Sequence, residues 1–259
     1  MYEDIEFEVD QGVATVTLDR PEVYNAFREQ TLDELNDALR TVAGDDIYAA
    51  VLTGSGPGFC TGADTNEIPG WDEMTREDYA AFLGRIQNVV RQLRTMPTPV
   101  IAAVNGPAIG AGSGFALGCD MRVVGPDGMF REGFVRIGLV SGDGGGWLLS
   151  RLIGEAKARE YLLTGRDIPP EEAVDVGLAV SLEEDPVAHA RELAGDLRDL
   201  PATAVENNKR LLDPSLSLEE YFARGIDYQW ECVNDPEQSE ALAAFQEDRE
   251  PEYDREYES

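Results

Sequence analysis

Three glycine-rich segments, at residues 60–64, 110–114 and 142–146, each lead into a predicted helix start. Small residues at such a place let a ligand approach unpaired backbone N–H groups, which can hold either a phosphate or a developing oxyanion. None of the three is a dinucleotide fingerprint or a Walker loop, because the later glycine and a Gly-Lys-Ser/Thr run are both missing. Asp143 stands inside the third segment, Ser141-Gly142-Asp143-Gly144-Gly145-Gly146. Flanking glycines would let its carboxylate project into a cleft, and the same placement also suits capping of the next helix. Glu132 is the second candidate acid, facing that cleft or pairing with Arg131 or Arg136. Asp64, next to Ala63, reads as a cap that orders its loop, and Asp120 reads as structural.

Other chemistries find little support. A single histidine, His189, excludes a multi-histidine metal site and lies in a charged helix remote from the glycine segments. Cys60, Cys119 and Cys232 are too few and too scattered for a disulfide framework or a zinc site. Cys60 and Cys119 have no histidine base nearby and read as small core residues.

Of the 259 residues, 51 are acidic and 21 basic, a net charge of −30 that rules out a broad nucleic-acid surface. Only Lys157 and Lys209 are lysines; the remaining basic residues are arginines. Acidity spread along the chain with so little lysine resembles halophilic archaeal cytoplasmic proteins, in which molar salt shortens the Debye length to ~3 Å and screens self-repulsion. The first strand begins by residue 5 without a basic, apolar leader, and no stretch approaches the ~18 apolar residues of a membrane span. A cytoplasmic chain with no membrane and no nucleic-acid partner is therefore expected.

The elements that must position these residues follow from periodicity. Strands are predicted at residues 5–9 and 13–18, a helix over 28–42, a strand at 49–52, a helix over 76–96 and a strand at 100–104, buried on both faces. Residues 110–114 read as a loop feeding a short helix, 121–124 as a strand and 147–153 as a helix, with Trp147 and Leu148 anchoring it in the core. Helices over 156–164, 170–176, 186–200, 203–212, 218–233 and 236–247 and a short strand at 179–182 complete the chain, ahead of an acidic tail. The fold class is α/β, with strand–turn–helix units repeated through about residue 155. The domain reading is a catalytic core over 1–195 and a helical assembly region with the tail over 196–259.

Taken together, the motifs resemble the enoyl-CoA hydratase/isomerase, or crotonase, family. The resemblance rests on Arg20-Pro21-Glu22-Val23-Tyr24-Asn25-Ala26, on residues 59–64 and 101–112, and downstream on Ile137-Gly138-Leu139-Val140, Gly144-Gly145 and residues 162–166. It covers about residues 5 to 250 in order and implies a spiral of ββα turns assembled as trimers or dimers of trimers. It also implies coenzyme A thioesters as substrates, with no prosthetic cofactor or metal. Ala63 and Ala111 match the two N–H donors of the oxyanion hole. Coenzyme A is expected along Tyr24 to Ala26 and Ala63 to Asn66, including Asp64, and against Ala111. Many relatives have lysine where this chain has Asn66, and Arg28 is the candidate replacement charge.

The resemblance also marks a departure. Family hydratases hold a water between two glutamates, and the matching positions here are Gly114 and Phe134. Family isomerases place an acid in the 142–146 loop, one position before Asp143. If Phe134 points inward, strand alternation places Glu132 on the same face, ~6–7 Å away. Phe134, Trp71 and Phe82 are candidate pocket walls. The leading expectation is an enoyl-CoA isomerase with Asp143 as proton carrier. The alternative is an enoyl-CoA hydratase using a Glu132/Asp143 pair, followed by hydrolase, dehalogenase or carbon–carbon lyase activity and by noncatalytic thioester binding.

Overall fold

The computed structural model describes residues 2–44, 46–66, 73–212 and 215–255. In chain order the elements are β1 (Ile5–Asp10), β2 (Val13–Leu18), α1 (Glu29–Val42), β3 (Ala49–Gly54), α2 (Arg76–Thr95), β4 (Val100–Val104), β5 (Pro107–Ile109), α3 (Ala111–Gly118), β6 (Met121–Val124) and β7 (Met129–Arg131). Then come α4 (Gly145–Leu152), α5 (Glu155–Thr164), α6 (Pro170–Asp175), β8 (Ser181–Leu182), α7 (Pro186–Arg198), α8 (Ala202–Leu211), α9 (Leu218–Val233) and α10 (Pro236–Glu247). A short 3-10 turn, Gly133–Ile137, follows β7.

The main sheet has the order β1-β2-β3-β4-β6-β8, and β5 pairs with β7 in a second, two-stranded sheet. β1 and β2 are antiparallel, and every other pairing is parallel. Parallel strands need covered faces, and the alternation of side chains shows how this is met. Ala50, Leu52, Ala102 and Val104 face the large core beneath α1, α2 and α3. Their neighbours Ala49, Val51, Ile101 and Ala103 face Ala190 and Ala194 of α7 on the opposite side. β3 and β4 are consequently buried along their whole length, as the unbroken apolar run at 100–104 predicts.

Two local expectations need correction. Residues 111–114 are the first turn of α3 and not a loop, because small residues permit very close helix packing there. A Cβ on Gly112 would lie 2.1 Å from the Cys60 carbonyl oxygen. Trp147 is about half exposed and carries the Arg151 guanidinium on its ring at 3.6 Å, so the buried Leu148 and Leu149, with Leu152 packed against the core, anchor α4. Lys209, one of the two lysines, ties α8 to the core through Asp120 at 2.7 Å and the Leu93 and Thr98 carbonyls.

Candidate active site

Parallel pairing brings the glycine segments to one edge. Ile109 at the end of β5 lies opposite Arg131 at the end of β7, while Cys60 bridges Ala108 and Ala63 bridges Phe27, again in parallel. Segments that run the same way end on the same side, so Gly62-Ala63, Gly110-Ala111 and Glu132 emerge together. The Gly110 N–H donates to the Arg131 carbonyl at 2.7 Å, and a Cβ on Gly62 would stand 3.9 Å from the Ala111 nitrogen.

This arrangement frees two N–H donors. The Phe27 N–H donates to Gly62 and the Asp64 N–H to the Phe27 carbonyl, which leaves the intervening Ala63 N–H without an acceptor among the described residues. Ala111 is the first residue of α3, where no intrahelical acceptor exists, and Gly110 before it has a backbone φ of 56° that disfavours a side chain. Both alanines line one cavity of about 640 Å³ whose walls include Phe82, Leu83, Ile86, Phe134 and Val140. The Asp64 carboxylate orders the first donor loop by accepting from the Asn66 N–H at 3.1 Å and pairing with Arg20 at 3.1 Å.

Asp143 lines the same cavity, and Glu132 lies directly behind it; both are almost fully buried. The Ser141 hydroxyl joins them, 2.6 Å from Glu132 Oε2 and 3.1 Å from Asp143 Oδ1. Ser141 Oγ also accepts the Gly146 N–H at 2.7 Å, and Asp143 Oδ1 accepts the Gly145 N–H at 3.2 Å. Burial, then the neighbouring Asp143 charge, pushes the Glu132 carboxyl well above its ordinary range. Burial likewise raises Asp143, opposed by the Gly145 N–H and Ser141. Glu132 Oε1 and Asp143 Oδ2 have no hydrogen-bond partner among the described residues.

The route to this pair differs from simple strand alternation. β7 stops at Arg131, and Glu132 with φ −82° and ψ 64° turns the chain into the 3-10 segment that carries Phe134. Phe134 does face the cavity, its ring 3.5 Å from where a Gly110 Cβ would lie, while Glu132 is directed inward toward Gly145.

The remaining expected residues lie apart from the cavity wall. Arg28 spends its guanidinium on Asp4 at 2.7 Å and Glu3 at 2.8 Å. Tyr24 is half exposed with a left-handed φ of 54°, Ala26 is buried, and Asn66 is exposed. Trp71 falls outside the described residues. Burial pushes the Cys60 and Cys119 thiols up to about 12, so both are neutral at ordinary pH. His189, on α7, faces Glu192 at 3.3 Å. Among the described residues, no cluster of three or more histidine, cysteine, aspartate or glutamate side chains could hold a metal, and no helix is long and apolar enough to cross a membrane.

The sequence model of the enoyl-CoA hydratase/isomerase family matches residues 8–256. The chain belongs to that family. It is 35% identical over 254 residues to a probable enoyl-CoA hydratase of Mycobacterium tuberculosis, covering 95% of this chain and 98% of the relative. It is 34% identical over 267 residues to the 1,2-epoxyphenylacetyl-CoA isomerase of Escherichia coli, covering 98% and 99%. The crystal structure of an enoyl-CoA hydratase from Bacillus anthracis superposes with a TM-score of 0.92 at 27% identity, over 98% of this chain and all of that one. An enoyl-CoA hydratase structure from Mycobacterium smegmatis gives 0.89 at 31% identity, over 97% and 99%.

As a member of the enoyl-CoA hydratase/isomerase family the chain is an acyl-CoA thioester enzyme. Sequence reasoning gives Ser141 no role and gives Arg131 and Arg136 only that of pairing partners for Glu132; both arginines line the cavity, and Arg131 pairs with Asp167 instead. The available signal for Ser141 was its position two residues before Asp143, at the spacing of a local side-chain turn.

Proposed function

We propose that the chain hydrates 2-enoyl-CoA thioesters, with Asp143 and Glu132 as its acid pair. The observation that carries this reading is the Ser141 bridge, which couples a cavity-facing carboxylate to a second one behind it. Two like charges this close in a buried setting do not both ionise, so the pair holds one proton near neutral pH. Hydration needs both functions of such a pair, a base for water and an acid for carbon.

In the proposed reaction the Ala63 and Ala111 N–H groups donate to the thioester oxygen as its charge grows. Removing one such donor elsewhere costs roughly 3–4 kcal/mol of barrier, which sets the scale of their contribution. A water oxygen bonds to the β carbon while the Asp143 carboxylate takes one of its protons. The π electrons move to the α carbon and thioester as an enolate, and a proton from Asp143 closes the α C–H bond while Glu132 resupplies Asp143 with its own proton. The pair ends with the one proton it started with.

A second reading has its own support. Asp143 is the only acid among the described residues lining the cavity, and a single carboxylate suffices to carry a proton between the α and γ carbons. Products from 2-enoyl and 3-enoyl thioesters in D2O, identified by mass and deuterium position, separate the two. Addition of water to the 2-enoyl thioester is expected. Double-bond migration without any hydration would replace this reading by isomerisation.

The coenzyme A portion is proposed to follow Tyr24 to Ala26 and Ala63 to Asn66. Arg28 can serve its phosphates only by giving up part of its hold on Asp4 and Glu3. Assembly as trimers or dimers of trimers is supported by α9, which buries none of its residues and leaves Phe222, Ile226 and Trp230 more than half exposed. The acidic excess is read as adaptation to a high-salt cytoplasm.

A further inference from the structure

We infer that the Ser141 hydroxyl is a proton conduit between Asp143 and Glu132, making the buried glutamate a proton store for the cavity-facing aspartate. The inference rests on the acid-pair reading above and assigns to Ser141 a role in moving the proton rather than in touching substrate.

The hydrogen-bond inventory of one hydroxyl carries the argument. Ser141 Oγ has one proton to donate and two lone pairs to accept with. The Gly146 N–H, at 2.7 Å, uses one lone pair. The remaining contacts are two carboxyl oxygens, at 2.6 and 3.1 Å. If both carboxylates are charged, one of them faces the oxygen without a proton between; if both are neutral, one acid proton has no acceptor in the bridge. The singly protonated pair satisfies all three contacts, with Ser141 accepting from the neutral acid and donating to the charged one, whereas a fully neutral pair would leave an acid proton on Glu132 Oε1 or Asp143 Oδ2, buried oxygens that have no hydrogen-bond partner among the described residues. The 2.6 Å contact has the length of a charge-assisted O–H to carboxylate bond.

Both placements of that proton use the same heavy atoms. When Asp143 Oδ1 carries it, the Asp143 O–H and the Ser141 O–H point along the bridge toward Glu132. Breaking those two O–H bonds and forming Ser141 O–H and Glu132 Oε2–H transfers one proton inward. The negative charge passes from Glu132 to Asp143. Asp143 then faces the cavity as a base, steadied by the Gly145 N–H at 3.2 Å and the N-terminus of α4. Glu132 does not line the cavity, so the bridge is its connection to the reacting atoms. Ser141→Ala leaves a neutral Asp143 with no short path for its proton inward.

The test uses the full chain with but-2-enoyl-CoA for hydration and butanoyl-CoA for exchange of its α-hydrogen in D2O. Ser141→Ala is expected to lower both rates roughly 10²-fold with little change in KM. Ser141→Thr, which keeps the hydroxyl, is expected to recover most of the loss. Rates in mixtures of H2O and D2O should fall on a bowed curve for the wild type, since more than one proton moves together, and on a straight line for Ser141→Ala. Thermal unfolding of each variant separates the conduit from simple loss of a buried hydrogen bond. Full turnover by Ser141→Ala, equal impairment of a folded Ser141→Thr, or a bowed curve that persists without the hydroxyl would overturn the conduit while leaving hydration in place. Exchange that depends on Ser141 in a protein that adds no water would uphold the conduit and remove the hydratase reading. Absence of both reactions in the wild type would remove both.

Discussion

The Asp143 carboxylate occupies the space that a side chain on Gly114 would need: a Cβ at position 114 would lie 2.4 Å from Asp143 Oδ2. A Cβ on Gly145 would lie equally close, 2.4 Å, to Glu132 Oε1. Bare glycines on facing turns of α3 and α4 therefore make room for two carboxylates between the helices. Gly114 is also the position at which the family resemblance expects a hydratase glutamate, so in the acid-pair reading the acid sits on the loop before α4 and not on α3.

This relationship predicts an exclusion between residues 114 and 143. Gly114→Ala should push the Asp143 carboxylate aside and cost about 10²-fold in turnover, since displacements of ~1 Å at a reacting group have that effect. Gly114→Glu should abolish turnover in the wild-type background. Combined with Asp143→Gly it should regain part of it, because the space is then free for the helix-borne acid. Steady-state kinetics on the three variants decides the matter; a fully active Gly114→Ala protein would show that Asp143 works from some other position.

The acid pair can be dissected by amides of the same shape. Asp143→Asn cannot take up a proton and should lose about 10²–10⁴ in turnover with thioester binding largely kept. Glu132→Gln separates the two chemistries: it should cost hydration about 10²-fold, whereas single-carboxylate isomerisation should stay within a few-fold. Normal hydration by folded Glu132→Gln would take the glutamate out of the mechanism.

What could be read from residues alone divides along a physical line. The donor loops were legible as small-residue turns ahead of helix starts because sequence spacing records local turns, while Ala63 and Ala111 within them were singled out by the family resemblance; the structure brings both to one cavity. The contact between Glu132 and Asp143 was legible as a possibility but not for the right reason. Alternation assumes that the strand continues to Phe134, whereas β7 ends at Arg131 and a 3-10 turn re-aims the chain. Ser141 was not legible, since a serine beside glycine is ordinary in loops and its two carboxylate partners meet only after β5, β7 and α4 have packed. Trp147 shows the same limit in reverse. Its apolar ring suggested the core, yet cation–π stacking with Arg151 gives it a stable place at the surface.

The oxyanion assignment has a clean probe because Ala111 is the first residue of α3. Proline is well tolerated at that helix position, so Ala111→Pro removes the N–H while keeping the helix. Turnover should fall about 10²–10³-fold, with the far-ultraviolet circular dichroism of the wild type. A folded Ala111→Pro protein with undiminished turnover would move the thioester oxygen away from this donor.

Salt acts on two opposed terms. Exposed pairs such as Arg159 with Glu155 and Arg40 with Asp37 weaken as salt rises, and each contributes little to begin with. Repulsion among 51 acids opposed by 21 bases weakens as well, and it involves far more charge. The second effect should win, so the unfolding temperature should climb as salt increases from about 0.1 M to about 2 M, where the Debye length falls from ~10 Å to below ~3 Å. A falling unfolding temperature over that range would show that ion pairs, and not self-repulsion, dominate the surface.

The raised carboxyls of Glu132 and Asp143 also leave a signature in stability against pH. Burial, reinforced for Glu132 by the neighbouring charge, holds both above their unfolded values near 4.5 and 3.8. Between those unfolded values and the raised folded ones the folded chain binds more protons than the unfolded chain, so the free energy of unfolding falls as pH rises. The pair's contribution is thus complete below the ordinary carboxylate range and is lost as pH climbs through the folded values. Glu132→Gln removes one of the two protons from this balance and relieves the repulsion on the other. Its unfolding temperature relative to wild type should therefore improve as pH rises above the ordinary carboxylate range, and the subtraction cancels the exposed acids common to both proteins. A difference that stays constant across that range would mean that the pair titrates normally, and the shared proton that both the hydratase reading and the Ser141 conduit require would be gone.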